Sequence, residues 1–285
     1  MPTKALRIIT FFCLLALPAH LATHAYAQIS DYSWLSNYDG SNALEDRIPP
    51  PKGFDRTPCE AGSFCEWLRK LPLKAEGSPV RYHYGDVKHH AQHHAVLDLD
   101  TGKRDLQQCA DAVMRLKAEY HYSRREYSNI HFNFTSGHKV SFDDWRRGRK
   151  PVVSGNKVSF MPAQENVDNS YNNFRKYMDI IFNYAGTLSL SKELAPVQVS
   201  DIQVGDLFIY GGLPGHSIIV MDIVENEEGQ KKFLLAQSFM PAQDMHVLKN
   251  PNDSAQSPWY SADFLGVLNT PEWQFSANDL MRFKK

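Results

Sequence analysis

Three apolar segments between residues 205 and 238 constrain the fold most strongly. They are GDLFIY (205–210), HSIIVMDIV (216–224) and KFLLAQS (232–238), each rich in the β-branched and aromatic residues that favour strands. The connections GGLPG and ENEEGQ are too short to hold a crossover helix, so neighbouring strands are expected to run antiparallel. The segment therefore predicts a three-stranded antiparallel meander.

Helical patterns come before this meander. Ser63 is a candidate N-cap for a helix at 63–70, and Asp105 followed by Gln108 resembles a capping box at the start of a second helix. A third helix is expected over 171–186, with one apolar face formed by Phe174, Tyr177, Met178, Ile181 and Phe182. Short strands are predicted at 80–84 and 95–100, and a hairpin at 129–142. Helices before a sheet indicate an α+β fold.

The first 27 residues have the features of a secretory signal peptide. Lys4 and Arg7 precede an apolar run, and Ala25-Tyr26-Ala27 matches a signal-peptidase site. The expected organisation is a signal peptide at 1–27, a polar and proline-rich lead-in at 28–52, and a single α+β domain at 53–285. No later segment approaches the roughly 20 apolar residues of a membrane span. The sequence thus predicts a periplasmic or secreted protein that is not integral to the membrane.

The charge balance argues against a nucleic-acid partner. The formal net charge is −1, and loss of Lys4 and Arg7 with the signal peptide would make it −3. No basic surface is therefore predicted. The sequence does not determine an oligomeric state.

Three cysteines remain after the predicted cleavage, in a compartment where disulfides form. Cys59 and Cys65 are close enough in sequence to form a bridge, although Cys65 lies in a predicted helix, and the pairing stays open. Cys109 is the one most readily left as a free thiol. At the start of a helix it has the unpaired amides that favour a thiolate.

A cysteine nucleophile also needs a base and a group that orients it. His216 is the candidate base because it begins a strand directly after Leu213-Pro214-Gly215, at the rim of the sheet. Gln237 is the candidate orienting residue. A turn centred on Glu228-Gly229 would place it opposite Val220, about 13 Å along the strand from His216, and a bulged turn would shorten that gap. Asp222 is the second choice for this role.

The order of these elements resembles the NlpC-type and CHAP-type cysteine peptidases and amidases. The shared pattern is a cysteine at a helix start, the strand GDLFIY, a strand beginning GHSIIV and a polar residue on the next strand. The resemblance implies a papain-like fold, here with a large insertion between the cysteine helix and the sheet, and cleavage of amide bonds such as those of cell-wall peptides. It implies that Cys109 is the nucleophile, His216 the base and Gln237 the orienting residue. Gln108, next to the cysteine, would help to stabilise the oxyanion.

Across nearly the whole mature chain, the sequence also resembles an exported bacterial family known as domain of unknown function 4846. The shared segments are LQQCAD, the PGH turn, QSFMPAQDMHVL and TPEW near the C-terminus. This resemblance implies that the chain belongs to the family, but it implies no enzymatic activity.

Other interpretations of the same residues stay open. Cys109 lies on the apolar stripe of its helix and could be a packed core residue. The protein would then be a non-catalytic envelope protein that binds a peptide or glycan in the same fold. The histidines between His83 and His94 have some metal-ligand spacing, but a solvated loop is the preferred interpretation, and no metal or cofactor is predicted. A serine-nucleophile elbow, G-x-S-x-G, does not occur in the sequence.

Overall fold

The computed structural model describes residues 32–284, so the predicted signal peptide lies outside the described residues. Within this range the helices are α1 to α6, in order Leu44–Arg47, Phe64–Arg69, Cys109–Ser123, Phe142–Arg146, Tyr171–Tyr184 and Thr187–Glu193. Short 3-10 helices occur at Gly40–Asn42, Tyr127–Asn129, Val199–Asp201 and Ala277–Asp279. The mixture of these helices with a large antiparallel sheet confirms the α+β class.

Fifteen strands are present in the same range. Strands β1 to β8 are Asp55–Arg56, His93–Val96, His131–Asn133, Lys139–Ser141, Pro151–Ser154, Lys157–Phe160, Leu194–Pro196 and Leu207–Tyr210. Strands β9 to β15 are His216–Glu225, Lys231–Gln237, His246–Leu248, Tyr260–Ser261, Val267–Asn269, Gln274–Ser276 and Leu280–Phe283.

The predicted meander forms the centre of the main sheet. The strand order is β2-β11-β10-β9-β8-β15-β7, with β1 added to β9 and β12 added to β10. Every pair is antiparallel. The sheet therefore extends the meander on both sides with strands drawn from distant parts of the chain.

The register between β9 and β10 differs from the prediction. Leu234 lies opposite Asp222, but Leu235 lies opposite Val220, so a β-bulge adds one residue to β9 at this point. Beyond the bulge, Ala236 pairs with Ile219. The predicted pairing of Gln237 with Val220 is therefore wrong by two residues.

Both faces of the sheet are buried. On one face, apolar residues of β8, β9 and β10 pack against α2 and α3, and α5 packs against α3. This core includes Val113, Met178 and Ile219. On the other face, Phe208 and Phe233 pack against residues of the C-terminal segment such as Phe275. Because strand side chains alternate between faces, these two cores explain why β9 is an almost continuous apolar sequence.

The packed body begins before Gly53. Tyr32 is buried and its hydroxyl donates to the carbonyl of Trp67 at 2.9 Å. Leu44 and Ile48 are also buried in the helical core. The described part of the predicted lead-in is thus packed, because its few apolar residues cover α2.

Several local predictions can be compared directly with the structure. The helix near Ser63, the 129–142 hairpin and the apolar face of the 171–184 helix are confirmed. The segment at 80–84 is not a strand and makes only isolated bridges through Arg81 and Tyr82. The strand expected at 95–100 instead begins at His93, inside the histidine-rich segment.

Cys59 and Cys65 form a disulfide, with their Cα atoms 5.7 Å apart. Cys65 lies in the first turn of α2 and can therefore reach back to the preceding loop. Among the described cysteines, Cys109 is left as the free thiol. No helix within residues 32–284 is long and apolar enough to cross a membrane.

Candidate active site

Cys109 is the first residue of α3, the helix that packs against the central strand β9. The predicted cap at Asp105 is wrong, because the helix begins three residues later, with Gln108 as its N-cap. The Asp111 carboxylate accepts the Gln108 backbone N–H at 3.1 Å. Asp105 instead accepts the backbone N–H of Ala242 at 2.6 Å. The later start places the thiol at the helix terminus itself.

The sulfur of Cys109 lies against the first residues of β9. The backbone N–H groups of Ala110 and of Ser217, the residue after His216, lie near enough to the sulfur to stabilise a negative charge on it. These donors favour the thiolate, but burial opposes it more strongly, and the charge of Asp111 adds to that effect. The pKa of the thiol is raised to about 11. The resting form at neutral pH is therefore the neutral thiol.

His216 begins β9, as the sequence predicts, and its position depends on the glycine before it. A Cβ atom on Gly215 would lie 2.5 Å from the carbonyl oxygen of Gly212 and 2.9 Å from that of Tyr210. It would also overlap the hydroxyl of Thr187. Only glycine fits this close approach, which fixes the point at which the strand begins.

Gln237 lies at the end of β10 and contacts His216 directly. The distance from His216 Nε2 to Gln237 Oε1 is 2.8 Å, although the predicted register separates the two residues by about 13 Å. A hairpin turn centred on Glu228 shifts the register by one residue and the β-bulge shifts it by a second. Together they move Gln237 toward the start of β9 and leave the two residues as diagonal neighbours.

Glu272 and Lys88 fix the orientation of the Gln237 amide. The Nε2 of Gln237 donates to the Glu272 carboxylate, which also forms an ion pair with Lys88. Since a carboxylate only accepts, the amide must turn its N–H to Glu272 and its oxygen to His216. His216 Nε2 then carries the ring hydrogen, and Nδ1 of the neutral ring keeps its lone pair.

Aromatic rings surround the His216 imidazole. The ring centroids of Phe239, Trp273 and Phe275 lie 4.7, 5.4 and 5.9 Å from that of His216. This burial lowers the pKa of His216 to about 4, against the opposing effects of Gln237 and Glu272. The imidazole is therefore neutral at physiological pH and available to accept a proton.

Asp111 is a buried acid two residues after the cysteine. One carboxylate oxygen binds the Gln108 N–H, and the other has no hydrogen-bond partner. Burial raises the pKa of this carboxyl group to about 8. The group is thus neutral over much of the range in which other aspartates are ionised.

The two remaining predicted residues have different surroundings. Gln108 lines the same cleft as Cys109, and its side-chain nitrogen donates to Asp105 at 3.0 Å. Asp222, the alternative to Gln237, is fully buried between Arg56 and Arg69, with N–O distances of 2.7 and 2.5 Å. Both of its oxygens are occupied, so Asp222 ties β9 to β1 and α2 and does not contact the imidazole.

A cleft of about 650 Å³ runs between the start of α3, the start of α6 and the loop before β9. Both Cys109 and His216 line it. Its rim carries apolar side chains, with Leu213 99% exposed and Met240 58% exposed. The cysteine and the histidine thus belong to the wall of one cleft, with 7% and 1% of their surfaces exposed.

The histidine-rich segment supplies Lys88 to this arrangement, but none of its histidines lines the cleft. His93 Nε2 lies 3.1 Å from the carbonyl of Ser78, and His83 Nδ1 lies 3.3 Å from that of Lys103. In the described part of the chain, no three histidine, cysteine or acidic residues come together as metal ligands.

Sequence reasoning missed Glu272, Lys88 and Trp273. The segment TPEW contains two of them, and it is among the segments quoted for the family resemblance. Its place over the imidazole arises from a contact between residues 216 and 273, which no local pattern indicates.

The family model described as Domain of unknown function (4846) matches residues 44–282. The chain has no match among curated proteins or among solved structures.

Proposed function

Given that the chain belongs to the family described as Domain of unknown function (4846), we propose that it is an exported cysteine amidase or peptidase with a papain-like arrangement. The observation that carries the proposal is the set of contacts around His216. Its Nε2 is held by Gln237 at 2.8 Å, and the backbone N–H of the next residue lies near enough to the sulfur of Cys109 to lower the pKa of the thiol. The proposed nucleophile and base thus line one cleft, and the proposed orienting group contacts the base.

The reaction begins with a neutral pair. The Cys109 thiol transfers its proton to Nδ1 of His216 as the sulfur attacks the carbonyl carbon of an amide. The imidazolium then gives this proton to the leaving nitrogen, the C–N bond breaks, and a thioester remains on Cys109. Water transfers a proton to His216 and attacks the thioester, which releases a carboxylic acid and restores the thiol.

The oxyanion formed during attack lies close to the start of α3. The backbone N–H of Cys109 and the second N–H of the Gln108 amide are the proposed donors. Asp105 contributes by holding the Gln108 amide at 3.0 Å. The amino terminus of the helix adds a positive potential at this point.

The raised pKa of Cys109 and the lowered pKa of His216 are compatible with this route. Burial penalises an isolated thiolate and an isolated imidazolium, whereas the two charges formed side by side offset each other. We therefore expect proton transfer to accompany attack and not to precede it.

The proposed substrates are peptides with amide bonds, and cell-wall peptides are the first class to test. The predicted signal peptide would bring the chain to the periplasm or the exterior, where such peptides occur. The apolar rim formed by Leu213 and Met240 suits a substrate with an apolar group beside the amide.

Hydrolysis of solubilised cell-wall peptides by the mature chain tests this proposal, with new amino groups measured by mass spectrometry. Cys109→Ala should abolish product formation, and Gln237→Ala should lower it by about 10- to 100-fold. Asp253→Asn, an exposed change outside the cleft, is the control and should leave the rate unchanged.

A second candidate is a non-catalytic envelope protein that binds a peptide or glycan in the same cleft. The 7% exposure of Cys109 and the raised pKa of its thiol favour this candidate. It predicts that wild type and Cys109→Ala bind the peptides equally and that neither releases a product. That result would overturn the hydrolase proposal.

A further inference from the structure

A second cavity of about 520 Å³ lies on the other half of α3 and shares no lining residue with the cleft. Lys117 lines this cavity and lies eight residues along the helix from Cys109, which corresponds to about 12 Å of helix length. The other walls come from β3, β4, α6 and the C-terminal end of the chain. We call it the lysine cavity, after the lining residues Lys117, Lys139, Lys192 and Lys284.

The charges in this cavity are unbalanced. Among the described residues, its wall contains one acidic residue, Glu193, and four lysines. Glu193 accepts the backbone N–H of Asn133 at 2.8 Å, and none of the four lysines forms an ion pair within the described chain. The imbalance of about three positive charges contrasts with a net charge of −1 for the whole sequence.

Lys117 is the most informative of these residues. Its ammonium group lies 4.6 Å from the ring centroid of Phe64, 5.5 Å from that of Tyr120 and 5.6 Å from that of Phe283. These rings displace water without supplying a negative charge, and burial lowers the pKa of Lys117 to about 8. The nearby carboxylate of Glu126 is occupied by His121 and Arg124.

His131 contributes a further polar group to the wall of the lysine cavity. His131 lines the cavity, and its Nδ1 is buried without a hydrogen-bond partner. No other side chain of the described residues occupies this nitrogen, and burial lowers the pKa of His131, so the ring is a neutral hydrogen-bonding group in the cavity wall.

We propose that the lysine cavity binds a phosphate group. Lysine ammonium groups bind phosphate as point charges, and the side chains of Asn129 and Asn133 in the same wall supply further donors. The phosphate can be the free ion or an ester on a larger molecule, and the volume leaves room for the latter. This inference goes beyond the proposed amidase function and does not depend on it.

Calorimetric titration of the mature chain at low ionic strength tests the proposal, with inorganic phosphate and glycerol phosphate as separate probes. Saturable binding of one equivalent is expected, with a Kd below about 1 mM for at least one probe. Tighter binding of glycerol phosphate would identify an ester as the source, and tighter binding of phosphate would identify the free ion. Binding should weaken as salt is added.

Two sets of variants locate the site. Lys117→Met keeps the apolar stem and should weaken binding by about tenfold or more. The double variant Lys139→Gln/Lys192→Gln changes only exposed side chains and should have a similar effect without a folding defect. Lys157→Gln, at an exposed position of β6, is the control and should bind as wild type does.

Chemical labelling supplies an independent readout. An amine with a lowered pKa reacts early with acetic anhydride, so Lys117 should be acetylated ahead of Lys157 at pH 8, and phosphate should protect it. The proposal is overturned if neither probe gives saturable binding up to about 10 mM, or if the double variant binds as tightly as wild type.

Discussion

Asp111, in the first turn of α3, is a buried acidic residue that destabilises the folded state at neutral pH. Its carboxyl group is buried, has one unpaired oxygen and lies beside the thiol, where its charge raises the pKa of Cys109. The raised pKa of Asp111, about 8 against an ordinary 3.8, means that the folded state holds a proton that the unfolded state has lost. Its stabilising contribution is therefore complete below pH 3.8 and is lost as the pH rises toward 8.

Asp111→Asn should stabilise the protein at neutral pH. An amide keeps the acceptor for the Gln108 N–H and removes the cost of holding a carboxyl group protonated at pH 7. We expect the free energy of unfolding in urea to rise by about 2 kcal/mol at pH 7 and the gain to disappear near pH 4. A variant less stable than wild type at pH 7 would show that Asp111 is ionised and paired in the folded state.

At the residue scale, the sequence indicated the cysteine, the histidine and the glutamine, because each follows a local signal: a helix start, a PGH turn and a strand end. The same reasoning placed Gln237 about 13 Å from His216, since the sequence indicates neither the exact centre of the turn nor the β-bulge. Glu272 was missed for a different reason. Its contact with Gln237 joins residues 35 positions apart, and no periodic pattern reports such a contact.

At the scale of elements, the loop between β8 and β9 sets the position of the base. Gly211 and Gly215 both lie against α6, and a Cβ on Gly215 would lie 2.5 Å from the carbonyl oxygen of Gly212. This loop also carries the exposed Leu213 at the cleft rim. The start of β9, the rim of the cleft and α6 thus form one packed unit.

Gly215→Ala should displace His216 and impair the cleft. The added methyl group must push back two backbone carbonyls, which we expect to lower the free energy of unfolding by about 1–3 kcal/mol. The His216–Gln237 hydrogen bond should lengthen, and the labelling rate of Cys109 should fall. Gly40→Ala is the matched control, because its Cβ would meet Tyr38 at an ordinary 3.9 Å. Equal behaviour of the two variants would contradict this account.

At the scale of the whole molecule, two buried histidines of the main sheet make the stability of the fold depend on pH. His216 and His246 lie on adjacent parts of the sheet and both contact Gln237, at 2.8 and 3.5 Å. Burial lowers the pKa of each to about 4 from an ordinary 6.5. Between these values the unfolded chain binds protons that the folded chain excludes, so stability is lost as the pH falls.

His246→Gln removes one of these two titrating groups, so the variant should lose less stability than wild type as the pH falls. The free energy of unfolding of wild type should fall as the pH is lowered from 6.5 to 4.5. The slope of this fall should be smaller in the variant by about 1.4 kcal/mol per pH unit. Urea unfolding of both proteins at several pH values measures the two slopes. Parallel slopes would mean that His246 is protonated in the folded state.

The whole sheet could not be predicted from the sequence, although its centre could. Strands β8, β9 and β10 are consecutive and joined by short turns, so their pairing is local. The outer strands β2, β7 and β15 come from residues 93–96, 194–196 and 280–283, and each pairs with a partner chosen by packing and not by sequence proximity. Only the three-dimensional fold brings these segments to one sheet.

The central claim is that Cys109 and His216 act as a pair, and the pH dependence of iodoacetamide labelling at Cys109 tests it most directly. The thiol should react at pH 7 about a hundredfold faster in the folded wild type than in His216→Ala. Its rate should fall as the pH approaches about 4 and the imidazole takes up a proton. Equal rates in the two proteins, or labelling only after unfolding, would contradict the account and identify Cys109 as a packed core residue.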